Sequence, residues 1–145
     1  MKVAYENTTE YKILQKVNAS RDATFLRKEF SSLPGESERQ ISRGLAALVK
    51  KNVLARLGRG VYAKLQPSRY RQGEYLLPGG FIEIARQALT KMGIPWRISQ
   101  FEQLYNEGRS TQVPIRPVTI IEKRFRRHLS FKNREFLFES SSRNR

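Results

Sequence analysis

Between Ser37 and Asn52 the apolar residues Ile41, Leu45, Leu48 and Val49 recur at the i, i+4, i+7, i+8 spacing of a helix that buries one face. Ser37 stands three residues before Gln40, the arrangement of a capping box, in which the serine hydroxyl and the glutamine side chain each satisfy an orphan amide of the first turn. Asn52 suits the left-handed conformation that stops a helix. The spacing therefore predicts a helix from about Glu38 to Lys51. The period then changes to two: Val53, Ala55 and Leu57 alternate with Leu54 and Arg56, Gly58-Arg59-Gly60 makes a turn, and Val61 to Leu65 returns, which is the signal of a β-hairpin.

Upstream, Ile13, Leu14 and Val17 predict a first helix over about Thr9–Asn18 with Thr8 or Thr9 as its cap. Phe25 and Leu26 form a short extended piece, and Arg27 to Phe30 a short second helix ended by the turn Ser31-Ser32-Leu33-Pro34-Gly35. Phe25, Leu26, Phe30 and Leu33 are expected to pack behind the helix that begins at Ser37. Three helices followed by a glycine-tipped hairpin are the order of a winged helix-turn-helix, in which the last helix enters the major groove of DNA and the wing lies along phosphates or in the minor groove.

Downstream, residues 67–80 carry two prolines, three glycines and little periodicity, and read as a linker, whose arginines and tyrosines either touch a nucleic-acid backbone or, with Tyr70, Tyr75, Leu76 and Leu77, pin it to one of the two units, the second being the favoured reading. Ile82, Ala85, Ala88, Leu89 and Met92 predict a helix from Phe81 that stops at Gly93-Ile94-Pro95, and a second capping box, Ser99 to Glu102, opens a short helix through about Asn106. Strand-like runs follow at Val118–Ile121, His128–Phe131 and Phe136–Phe138, with Lys132-Asn133 as the turn between the last two. The expected fold class is α+β: a winged helix-turn-helix over residues 1–66, a linker over 67–80, a helix-plus-antiparallel-hairpin unit over 81–140, and a frayed tail over 141–145. Phe136 and Phe138 share a strand face and are expected to bury against the helix that starts at Phe81.

Charge sharpens this reading. The chain of 145 residues has a formal net charge of +15, with 14 Lys/Arg against 6 acids in residues 1–70 and 14 against 7 in residues 71–145. An excess of that size calls for an anionic partner, with nucleic acid first and a cationic surface for solubility as the alternative. At about 100° per residue, Arg39, Arg43, Ala46, Ala47 and Lys50 fall opposite the apolar stripe of the Ser37 helix. Arginines beside small residues suit a major groove, because arginine donates two bonds to a guanine edge and alanine permits close approach. The candidate DNA contacts are Ser37, Arg39, Gln40, Arg43, Lys50 and Lys51 on the helix, with Arg56, Arg59 and Lys64 on the hairpin. Arg109, Lys123, Arg124, Arg126 and Arg127 form a secondary candidate set. The last four sit at a turn between strands, where they serve either as an electrostatic contact or as guards of an exposed sheet edge.

The chain has one histidine (His128), one aspartate (Asp22) and no cysteine. Disulfide frameworks, zinc ribbons and thiol nucleophiles are excluded, and no cluster of carboxylates has the spacing that metal-assisted phosphoryl transfer needs. Ser110, Thr111 and Gln112 lack the glycine spacing of a phosphate-binding loop. No catalytic residue, metal site or cofactor is assigned, and the chain is not expected to be an enzyme. It has no run approaching the ~18 apolar residues of a membrane span, so a cytoplasmic location is expected.

The order of a winged helix ending in Gly58-Arg59-Gly60-Val61-Tyr62, a helix, and Gly108-Arg109-Ser110-Thr111-Gln112-Val113-Pro114 leading into a basic hairpin resembles the AbiE-type antitoxin and transcriptional-regulator proteins of type IV toxin–antitoxin systems. The resemblance covers nearly the whole chain, and its second motif is the more specific. It implies a DNA-binding repressor of its own operon whose partners are double-stranded DNA and a cognate nucleotidyltransferase-type toxin. The chain is shorter than the fuller antitoxins, which separates the repressor role from any toxin-countering activity. Two other classes remain open at this stage: an RNA- or ribosome-associated basic protein with stacking aromatics, here Phe131, Phe136 and Phe138, and a toxin-binding module that reads no DNA.

Overall fold

The computed structural model describes residues 4–108 and 118–140. It is an α+β protein with four α-helices among the described residues. A short 3-10 turn, Tyr5–Asn7, precedes helix α1 (Thr9–Ala19), whose N-cap Thr8 accepts from the amide of Tyr11. Strand β1 (Thr24–Leu26) runs into a short 3-10 helix, Arg27–Glu29, at the place of the expected short second helix. Helix α2 (Glu38–Lys50) begins with the expected capping box: Ser37 Oγ accepts from Gln40 N at 3.2 Å and Ser37 N donates to Gln40 Oε1 at 2.8 Å. Asn52 takes the left-handed conformation at φ 62°. Strands β2 (Leu54–Gly58) and β3 (Val61–Lys64) form the hairpin, turning through Arg59 and Gly60.

These strands make one antiparallel sheet in the order β1-β3-β2, with Phe25 opposite Tyr62 and Arg56 opposite Tyr62. Because side chains alternate across a strand, the sheet feeds two cores. Phe25, Leu54 and Tyr62 join Ile13, Val17, Phe30, Ile41, Leu45 and Leu48 on the side of α1 and α2. Leu26, Ala55, Leu57, Val61 and Ala63 enter a second core with residues of the C-terminal half. Leu26 therefore faces away from α2, a correction to its expected place behind that helix; it neighbours Phe25 on an extended strand and must point the other way. The two helices approach at Gly44, where a Cβ would stand 2.8 Å from Ile13 Cδ1 and 3.3 Å from the backbone of Glu10.

Residues 66–77 are more ordered than a linker. Strands β4 (Gln66–Pro67) and β5 (Tyr75–Leu76) pair antiparallel, and only the next residue, Leu77, is buried, while Tyr70 is 95% exposed. Helix α3 (Phe81–Lys91) follows and lies against β1. Thr24 Oγ1 meets Gln87 Oε1 at 3.1 Å, and Lys91 Nζ reaches Asp22 at 3.0 Å and Glu29 at 2.9 Å. Strand β6 (Trp96–Ile98) had no counterpart in the sequence pattern. Helix α4 (Gln100–Asn106) is capped by Ser99, which accepts from Glu102 N, but the Glu102 carboxylate does not close the box. It takes both terminal nitrogens of the buried Arg86, at 3.0 and 2.9 Å, because a buried guanidinium needs a charged partner more than a helix end needs a second cap.

Strand β7 (Thr119–Ile121) pairs antiparallel with β6. The turn at Lys132-Asn133 joins β8 (Ser130–Phe131) to β9 (Arg134–Glu135), with Lys132 at φ 56°. The expected strand at Phe136–Phe138 is not one strand: the chain leaves β9, buries Phe136 and re-enters as β10 (Phe138–Ser140), which pairs parallel with β7. The C-terminal half is thus a mixed sheet, β10-β7-β6, plus a separate hairpin. Phe136 does bury against α3 as expected, its ring edge-on to Phe81 at 6.4 Å and stacked with Phe138 at 6.2 Å. Among the described residues, no helix is long and apolar enough to cross a membrane.

Candidate nucleic-acid interface

Helix α2 buries Ile41, Gly44, Leu45 and Leu48 and leaves Arg39, Ser42, Arg43, Ala46 and Lys50 exposed, so the capping box and the apolar stripe between them fix which side chains face outward. No hydrogen bond or ion pair joins Arg39, Arg43 or Lys50 to another described residue. Elsewhere on this half three cations are neutralised: Lys12 pairs with Glu36, Lys51 with Glu10 and Arg27 with Glu38.

Several sequence candidates already have partners within the protein. Ser37 and Gln40 are spent on each other in the cap. Lys51 pairs with Glu10 and lies over the Tyr5 ring at 5.2 Å; that hydrogen bond raises its pKa and lowers that of Glu10. Lys64 is half-buried, donates to the Ser20 carbonyl at 2.7 Å and sits over the Phe25 ring at 5.9 Å. Lys51 and Lys64 therefore tie elements together: Lys51, at the end of α2, to Glu10 of α1, and Lys64 of β3 to the Ser20 carbonyl at the end of α1.

The hairpin tip gathers residues from both ends of the sequence. Arg56 and Arg59 share an open cleft of about 800 Å³ with Arg126, Arg127 and His128. Arg127 Nη2 donates to the Arg59 carbonyl at 2.6 Å, and its Nη1 lies 2.9 Å from Met92 Sδ. Gly58 is required here by close approach, since a Cβ would stand 2.5 Å from the His128 carbonyl oxygen and 3.2 Å from Leu129 Cδ2. The segment 126–129 is thereby seated on the hairpin, and two sets of arginines read separately in the sequence form one cationic surface. Lys123 and Arg124 are exposed on the connection between β7 and β8, and Arg109, with residues 109–114 of the second motif, lies outside the described residues.

Arg27 binds this tip to the start of α2. Its amide donates to the Gly60 carbonyl at 2.9 Å, while its guanidinium reaches the Glu38 carbonyl at 2.9 Å and the Glu38 carboxylate at 2.8 Å. The amino-terminal turn of α2 and the hairpin tip are thus joined through one residue. Sequence reasoning missed Arg27 in this role; its place just before the turn that precedes the capped helix was the available signal. It missed Arg86 too, although position 86 follows Ile82 by four and precedes Leu89 by three, on the buried face of α3.

His128 Nδ1 lies 2.9 Å from Glu135 Oε1, both side chains well exposed, so the pair is open to water. Among the described residues, no group of three or more His, Asp or Glu side chains could hold a metal ion. No protein-family model matches the chain, and no curated protein is significantly similar to it.

Proposed function

We propose that this chain is a sequence-specific binder of duplex DNA of the winged helix-turn-helix kind, acting as an antitoxin-like repressor of its own operon. In this reading α2 enters the major groove, Arg39 and Arg43 meet base edges, and Lys50 holds a phosphate near the helix end. The β2–β3 hairpin is the wing, with Arg56 and Arg59 on the backbone and Arg126 and Arg127 widening its contact. The element order and the sheet order β1-β3-β2 support the fold assignment.

The observation that carries the reading is the unpaired, exposed row Arg39, Arg43 and Lys50 on a helix whose first turn is tied through Arg27 to an arginine-rich hairpin tip. Unpaired like charges on one surface repel one another, and a polyanion relieves that repulsion. The antitoxin part of the proposal, with a nucleotidyltransferase-type toxin as the neighbouring gene product, rests on the resemblance carried by residues 58–62 and 108–114.

Duplex DNA is preferred over single-stranded RNA because Phe136 is buried and Phe131 and Phe138 are half-buried in the core, which leaves no row of exposed sheet aromatics for base stacking among the described residues. A gel shift of the purified chain on its own upstream DNA, competed with unrelated DNA, heparin and structured RNA, tests the proposal. Retention against unrelated DNA supports it. Equal displacement by structured RNA contradicts it.

A further inference from the structure

Building on the DNA-binding reading, we propose that the loop 68–73, Ser68-Arg69-Tyr70-Arg71-Gln72-Gly73, is a second arm that grips the DNA backbone beyond the carboxy-terminal end of α2. The loop joins β4 to β5 and is tightly organised. Ser68 Oγ accepts from the amides of Tyr70 at 3.2 Å and Arg71 at 3.1 Å, Ser68 N donates to the Glu74 carbonyl at 2.8 Å, and Glu74 N donates to the Arg71 carbonyl at 3.2 Å. Its base is fastened by the Pro67–Tyr75 pairing and by Lys132 Nζ, which donates to the Tyr75 carbonyl at 3.2 Å.

This ordered loop holds an aromatic ring out in water. Tyr70 is 95% exposed, its ring touches no other ring or cation among the described residues, and it is flanked by the exposed Arg69 and Arg71. An aromatic ring gains free energy by leaving water, so a ring carried at this position is available to an incoming surface. Its location names that surface. Arg71, Gln72 and Gly73 line an open cleft of about 620 Å³ together with Val49 and Asn52 at the end of α2 and Arg56 on β2. Glu74 is the one carboxylate lining it, and it lies 3.7 Å from Arg71. The loop therefore lies beside the last turn of α2, with Arg56, Arg71 and Lys132 as the cations of the shared cleft, at the end of the helix opposite the hairpin tip.

Two arginines around a tyrosine match the sugar-phosphate backbone: guanidinium groups bind phosphate oxygens, the phenol hydroxyl donates to another, and the ring packs on sugar. The arm adds affinity and extends the length of DNA covered, without choosing bases.

The test uses the full chain on a long duplex from its own upstream region, with the affinity titrated at several salt concentrations and the backbone mapped by hydroxyl-radical footprinting. The double variant Arg69→Ala/Arg71→Ala should reduce the salt slope by roughly two, near 0.9 per phosphate. It should also remove protection at one end of the footprint while leaving operator preference intact. Tyr70→Ala should lose the same protected positions, and Tyr70→Phe should lose less. If the wild-type chain protects DNA and these variants leave slope and footprint unchanged, the arm is not a DNA contact while the DNA-binding reading stands. If the variants keep the footprint but lose retention on immobilised polyglutamate, the loop belongs to an acidic protein partner and the proposal falls. A wild-type chain that protects no DNA overturns the arm and the parent reading together.

Discussion

Arg127 donates to the backbone carbonyl of Arg59 across a separation of 68 residues in the sequence, at 2.6 Å. One residue further on, the His128 carbonyl occupies the space that any side chain at position 58 would need. The hairpin proposed as a wing is therefore braced by the C-terminal half of the same chain, and its tip is positioned before any partner arrives. A braced tip loses less freedom on binding than a loose one.

Substitution at Gly58 should separate bracing from folding. Gly58→Ala forces a Cβ against the His128 carbonyl and Leu129, and overpacking of this kind costs about 1–3 kcal/mol. Urea denaturation should register that loss, and hydrogen exchange should quicken at the amides of residues 56–62 more than in α2. Arg127→Ala removes the hydrogen bond without adding bulk and should produce the same local pattern with a smaller global loss, on the order of 1 kcal/mol. Uniform quickening throughout the chain would show that the brace is not local.

The buried Arg86 makes a stronger prediction for the C-terminal half. Its Nε donates to Thr119 Oγ1 at 2.8 Å, its terminal nitrogens clasp Glu102, and it lies over the Trp96 ring at 5.2 Å, so one side chain joins α3, α4, β6 and β7. Glu102→Ala leaves a buried guanidinium without its counter-ion and should cost on the order of 3–5 kcal/mol in a denaturation titration. Glu102→Gln, which keeps an acceptor, should lose less. Equal losses for the two variants would show that volume rather than charge is what the site requires.

Acid should loosen the packing of α1. Lys51 and Tyr5 both hydrogen-bond Glu10 and hold its carboxyl below the usual 4.5; Lys12 and Thr9 do the same to Glu36. A folded pKa below the unfolded one means that each tie contributes its full stability above the unfolded value and loses it as the pH falls through the folded value. Glu10→Gln should therefore melt earlier than wild type near neutrality, with the gap in Tm closing as the pH drops below about 4. A gap that widened in acid would have the wrong sign.

The local elements were legible where one signal was strong and self-contained. The Ser37–Gln40 box and the 41, 45, 48 stripe marked α2 to within a residue, and the glycines at 58 and 60 marked the hairpin. Strand β6 was not legible because it is three residues long and carries Arg97 between Trp96 and Ile98, where a strand pattern has no room to repeat. The parallel pairing of β10 with β7 was hidden for a different reason: Phe136 and Phe138 read as one alternating run, but only Phe138 lies in the strand, and its partner β7 is a distant segment that no local pattern names.

The candidate interface was half legible. Periodicity alone turned Arg39, Arg43 and Lys50 outward, but it does not reveal partners, so Lys51 and Lys64 looked equivalent to them until Glu10 and the Ser20 carbonyl were in view. The meeting of Arg126 and Arg127 with the hairpin depends on tertiary packing between distant segments, which no local pattern encodes.

The central claim is that α2 reads base edges with its first half and holds phosphate with its second. Binding of wild type, Arg43→Ala and Lys50→Ala should be titrated by fluorescence anisotropy on the upstream duplex and on a scrambled duplex at one fixed salt concentration. Arg43→Ala should weaken the upstream duplex by on the order of 1–3 kcal/mol and leave the scrambled one nearly unchanged, because a bidentate base contact matters only where the right base is present. Lys50→Ala should weaken both by similar factors. Equal loss on both duplexes for Arg43→Ala would contradict the account, since α2 would then be holding phosphate along its whole length and reading nothing.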